Sequence, residues 1–81
     1  SVGDYAKGLL LRAYRNGCAA AYDETATNKT AFGACMLRTD DRPYDATTGQ
    51  WEAAYQEFLR GYQFIRSELS KEERGKSNDN R

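Results

Sequence analysis

The strongest nucleophiles in this 81-residue chain are two thiols, Cys18 and Cys35, and no histidine accompanies them. Without an imidazole, activation of either thiol would fall to a carboxylate or a lysine. Both cysteines sit among alanine, glycine, phenylalanine and methionine, surroundings that raise a thiol pKa. Their separation fits no zinc site, because a structural site needs four ligands. They read as two reduced, buried small residues, with a single disulfide as the alternative in an exported chain. Asp40, Asp41 and Asp45 cluster around the only proline, Pro43. They lack the spacing and terminal glutamate of a calcium loop. The seven glycines are scattered and form no phosphate cradle. A paired-carboxylate hydrolase needs a larger cleft than so short a chain builds. The expectation is a protein that is not an enzyme and holds neither metal nor cofactor.

Binding is the chemistry that remains. Six tyrosines, three phenylalanines and one tryptophan are many for this length, and such side chains join large apolar area to a polar tip. Trp51, Tyr55, Phe58, Tyr62, Ile65 and Leu69 follow one another in alternating steps of four and three. That rhythm puts all six on one stripe of a helix. The stripe must be buried against the rest of the chain, a second copy or a foreign macromolecule. Trp51, Tyr55, Phe58 and Tyr62 serve as core on the first reading. On the others Trp51, Tyr55 and Tyr62 join Phe64, Tyr44, Arg38 and Arg42 as partner-binding residues. Tyr5, Tyr44 and Phe64 are assigned to the surface.

Twelve basic and twelve acidic residues cancel. Residues 1–44 hold six basic and five acidic, and residues 45–81 six and seven. The basic excess of a dedicated phosphate-backbone binder is absent from these totals. Leu9-Leu10-Leu11 is far shorter than the apolar core of an export signal, and no segment approaches a membrane span. The expected setting is cytoplasmic.

The elements that carry these residues read as helices. Asp4 to Asp23 places Leu10, Tyr14, Cys18 and Ala21 on one face, with Leu11 and Tyr22 flanking. Gly17 and Ala19-Ala20-Ala21 form a smooth patch suited to close helix packing. Asn28 and Thr30 are turn or N-cap residues. Ala31 to Arg38 gives a turn or two of helix with Phe32 and Met36 inward. Pro43 holds Arg42 extended and breaks the chain. Asp45, Thr47 or Thr48 then caps a long helix from about Thr48 to Glu73, with Glu52 in its first turn favouring the helix dipole. Residues 1–74 make one domain, and residues 75–81 have nothing to bury and read as a disordered tail. The fold class is all-α: a small antiparallel helical hairpin with a short middle helix and a long aromatic C-terminal helix that overhangs the first.

Ala13 and Gly17 in the first helix, then Pro43-Tyr44, then an aromatic pair around a small residue resemble the ribosome modulation factor family. The third element has two matches, Trp51-Glu52-Ala53-Ala54-Tyr55 and Phe58-Leu59-Arg60-Gly61-Tyr62. The resemblance spans residues 10–62 with a large insertion between its helices. The family is strongly basic where this chain is neutral, and its cysteine before Pro-Tyr is Arg42 here. The resemblance implies a small two-helix protein of bacterial or phage type that binds rather than catalyses. A ribosomal partner with rRNA contact would draw on Arg12, Arg15, Arg38 and Arg42 for phosphates, with Tyr44 stacking on a base or entering a protein pocket. The rival readings are a phage- or plasmid-type inhibitor of one host protein and a homodimer joined through the heptad stripe.

Overall fold

The computed structural model describes residues 2–37 and 46–79, with side chains over 3–37 and 46–75. Three helices make up the described chain: α1 (Val2–Asp23), α2 (Lys29–Leu37) and α3 (Thr48–Asp79). It is an all-α fold with a long C-terminal helix, and no described residue lies in a strand.

Local chemistry sets each boundary. Glu24 takes a left-handed conformation, φ 53°, and the Thr25 N–H reaches back to the Ala20 carbonyl at 3.2 Å. That is a Schellman ending, which satisfies a terminal carbonyl of α1. Asn28 caps α2, its side-chain oxygen accepting from the Ala31 N–H at 2.9 Å. Thr47 and Gln50 form a reciprocal capping box at the head of α3. The Gln50 N–H donates to Thr47 Oγ1 at 3.1 Å, and the Thr47 N–H donates to Gln50 Oε1 at 3.0 Å. Glu52 lies beyond that first turn and pairs with Lys29. The helix also continues past Glu73 to Asp79. Lys71 to Arg74 are good helix formers, and propagating a helix needs no buried face.

α1 and α3 meet backbone to backbone. A Cβ on Gly17 would overlap the Phe58 carbonyl and stand 3.0 Å from the Tyr62 nitrogen. A Cβ on Gly61 would overlap the Tyr14 carbonyl and stand 3.2 Å from the Cys18 sulfur. Only glycine allows this approach. It brings each glycine's Cα–H toward a carbonyl of the other helix, a weak stabilising contact.

The pairs along the seam rise together. Tyr14 lies against Gly61, Cys18 donates its S–H to the Gly61 carbonyl at 3.6 Å, and Arg66 donates to the Ala21 carbonyl at 3.3 Å. Helices paired in that order run in the same direction, so the sense of the pair is parallel and not antiparallel. α3 therefore starts at the same end of the pair as α1. The buried face of α1 also differs from the Leu10–Tyr14–Cys18–Ala21 stripe expected. Leu9, Ala13, Gly17, Ala20 and Ala21 are buried, whereas Leu10, Tyr14 and Cys18 are half-buried. The smallest side chains allow the closest approach, so they define the contact and the larger ones ride at its rim.

α2 covers one side of this pair. Phe32 and Met36 are fully buried. The Phe32 ring lies 4.6 Å from Trp51, 5.3 Å from Tyr55 and 5.1 Å from Phe58, all tilted. Asn16 Nδ2 donates to Met36 Sδ at 3.2 Å, and Tyr55 Oη donates to the Thr27 carbonyl at 2.6 Å. Burying a Phe, Leu or Met side chain contributes about 1.5–3 kcal/mol. Phe32, Phe58, Leu9 and Met36, the largest fully buried side chains, therefore hold most of the fold.

Candidate partner-binding surface

The residues singled out from the sequence divide into three groups. Arg38, Arg42 and Tyr44 lie outside the described residues, as do Asp40, Asp41, Pro43 and Asp45. Trp51, Tyr55 and Tyr62 are half-buried and pack against the core. α2 covers Trp51 and Tyr55, and the Tyr55 hydroxyl is engaged by Thr27. Their part in the heptad stripe is thus taken up by this chain's own helices. Phe64 alone of the described group stands out in solvent, 52% exposed.

Phe64 has neighbours that the sequence pattern put elsewhere. Leu11 is 51% exposed and Tyr22 62% exposed. Leu11, Cys18 and Tyr22 recur along one line of α1, with Tyr14 beside it, at helical spacing. On α3, Phe64 is one turn beyond both Arg60 and Gly61. The two lines face the same side of the seam, because the Arg60 guanidinium sits 5.5 Å over the Tyr14 ring and Cys18 touches Gly61. Leu11 and Phe64 thus lie on the side of the seam away from α2, and Tyr22, one turn beyond Cys18, lies farther round α1. α2 lies on the far side, where Asn16 and Phe58 meet it. Leu11 and Tyr22 were assigned to the flanks of a buried face. The signal that would have placed them is the repeated aromatic-x-x-Gly, Tyr14 to Gly17 and Phe58 to Gly61, which fixes the seam.

Ion pairs run along α3. Arg60 forms a fork with Glu57, Nε to Oε2 at 2.7 Å and Nη2 to Oε1 at 3.1 Å. Lys71 pairs with Glu68 at 3.2 Å. Arg66 joins the end of α1 to α3 through the Ala21 carbonyl and through Glu24 at 3.3 Å.

Cys18 and Cys35 are both free. Burial pushes the Cys18 pKa up, with its hydrogen bond acting weakly in the other direction. A nucleophilic cysteine needs the reverse. Among the described residues no group of three or more His, Cys, Asp or Glu could hold a metal ion. No described helix is long and apolar enough to cross a membrane.

Compared with protein-family models, curated proteins and solved structures, the chain matches none.

Proposed function

We propose that this chain is a small non-catalytic protein that binds another macromolecule in the cytoplasm. The observation that carries the reading is the exposure of Leu11, Tyr22 and Phe64 on an otherwise well-packed helix pair. Large apolar side chains gathered on one surface mark interaction sites more often than isolated ones do. Their scaffold is rigid, since glycines lock α1 against α3. The binding residues are therefore presented preformed, which lowers the entropy lost on association. An inhibitor that grips one host protein fits this surface. A homodimer through the heptad stripe fits less well, because α1 and α2 already cover Phe58, Tyr55 and Trp51.

A ribosome-associated form of the reading draws on a separate observation. Ala13 and Gly17, the first element of the ribosome modulation factor resemblance, pack against Phe58 to Tyr62, the second match for its third element. In that form Arg15 and the arginines near Tyr44 supply phosphate contacts.

The test is sedimentation of tagged protein with cell extract on a sucrose gradient at low and high salt. The expected result is movement with a heavier species that Phe64→Ser abolishes while helix content stays unchanged. Comigration with ribosomal particles that weakens steeply with salt supports the ribosomal form. Comigration with a lighter, salt-tolerant species supports the inhibitor. A chain that remains at the top under every condition overturns the reading.

A further inference from the structure

α1 and α3 hold each other through contacts in which α2 has no part. Gly17 rests on the Phe58 carbonyl, Gly61 rests on the Tyr14 carbonyl, and Arg66 donates to the Ala21 carbonyl. These contacts join two long helices, of 22 and 32 residues. α2 has nine residues, below the roughly 12–15 that an isolated helix needs to persist in water. Gly33 sits in its middle, where a Cβ would meet nothing within 4 Å. Packing requires the seam glycines, but it does not require Gly33, which weakens the helix. Neither end of α2 carries the charge that suits the helix dipole. Its helical form therefore rests on the side chains it buries, Phe32 and Met36.

The attachment differs between the two ends of α2. Polar ties hold its entry to α3. Tyr55 Oη donates to the Thr27 carbonyl at 2.6 Å, Lys29 pairs with Glu52, and the Lys29 ammonium lies 5.7 Å from the Tyr55 ring centroid. Asn28 caps the first turn. At the other end the Met36 thioether accepts from the Asn16 amide at 3.2 Å, and a thioether is a weak acceptor. Leu37 adds little to the grip, being 61% exposed. Between the ends, the Phe32 ring lies against Trp51, Tyr55 and Phe58.

We infer that α2 is a tethered cover over the aromatic row of α3. It melts away as a unit, Phe32 and Met36 leaving together, while the α1–α3 seam stays closed and residues 27–29 stay attached. Helices this short unfold when they lose their packing, so the open cover is an extended strap and not a swinging helix. The open form lays bare Trp51, Tyr55 and Phe58 on an intact helix pair. Access to these rings is thus set by a local opening and not by unfolding of the whole chain. The inference goes beyond the binding reading and does not depend on it, because the opening is a property of the chain alone.

The experiment is native-state hydrogen exchange of the full chain, read amide by amide by NMR at rising, sub-denaturing urea. Amides 32–37 should exchange through an opening with a shallow urea slope, because little surface is exposed. That opening should be about tenfold or more as populated as the one that frees amides 16–20 and 58–62. Two mild substitutions separate the cover from the pair. Gly33→Ala should slow amides 32–37 about fivefold, the helix-propensity difference expressed as a population. Ala19→Gly, at an exposed position of α1, should speed amides 16–20 about fivefold and leave amides 32–37 unchanged. One shared opening, with equal protection and equal urea slope in α2 and at the seam, overturns the proposal. Ala19→Gly speeding α2 in step with α1 overturns it too. So does exchange of amides 32–37 at the unfolded rate, which would leave no closed cover to open.

Discussion

Gly17 rests on the carbonyl of Phe58, leaving no room for a side chain between α1 and α3. Replacing it with alanine sets two effects against each other. In an isolated helix the change would stabilise by about 1 kcal/mol. Here the new methyl meets backbone, which cannot swing aside, and overpacking of this kind costs about 1–3 kcal/mol. The seam wins, so Gly17→Ala and Gly61→Ala both lower the urea midpoint. Gly8→Ala, where a Cβ has nothing within 4 Å, should raise stability by roughly 0.5–1 kcal/mol. A Gly17→Ala protein as stable as the parent would contradict the close seam.

Phe32 fastens α2 to the aromatic row, and Trp51 is both its nearest ring neighbour and the only tryptophan. Phe32→Ala should cost about 3–5 kcal/mol. Trp51 emission should move to the red as α2 loosens and water reaches the indole. Phe64→Ser, at an exposed site, should leave the emission alone and change stability by no more than about 0.5 kcal/mol. Unchanged emission and midpoint in Phe32→Ala would show that α2 does not shield the tryptophan.

Glu24 carries a left-handed backbone at the end of α1. A residue with a Cβ loses about 1–2 kcal/mol in that conformation, and glycine does not. Glu24→Gly gives up the exposed pair with Arg66, a contact of the class contributing about 0–1 kcal/mol. The net expectation is a gain of about 0.5 kcal/mol, seen as a rise of a few degrees in Tm. Glu24→Gln keeps the strain and loses the ion pair, so it should melt slightly lower than the parent. The opposite order of the two variants would refute this account of the helix ending.

Cys18 predicts a pH effect of defined sign. Its pKa is raised in the folded protein by burial, so the native state holds the thiol proton more tightly than the unfolded state does. The stability linked to that proton is fully present below the unfolded thiol pKa, about 8.5. It is lost as pH rises from there through the folded value. Denaturation midpoints between neutral and alkaline pH should therefore fall more steeply for the parent than for Cys18→Ala. Parallel slopes would mean that Cys18 titrates alike in both states.

The elements were largely legible before the structure, because caps and breakers are local. Asn28, Thr47 and the Phe32–Met36 spacing each announce a helix through chemistry within four residues. The face that α1 buries was not legible in the same way. Hydrophobic patterning gives weight to Tyr14 and Leu10, while packing is decided by Ala13 and Gly17, which carry little apolar area. The sense of the α1–α3 pair was hidden too, since an aromatic stripe is the same for a parallel or an antiparallel neighbour. Of the surface, Phe64 was legible as the aromatic off the stripe. Leu11 and Tyr22 were not, because their exposure depends on where Gly17 turns the helix.

The shared direction of α1 and α3 has an electrical consequence. Peptide dipoles along two helices that run the same way add, whereas in an antiparallel hairpin they cancel. Positive partial charge from both amino ends gathers at one pole of a molecule 54 Å long, and α3 carries the negative pole out past the end of α1. No basic side chain lies in the last turn of α1; Arg66 reaches across from α3 to the Ala21 carbonyl. A chain whose formal charges sum to zero is thus an axial dipole, and a charged surface can orient it end-on without any net attraction.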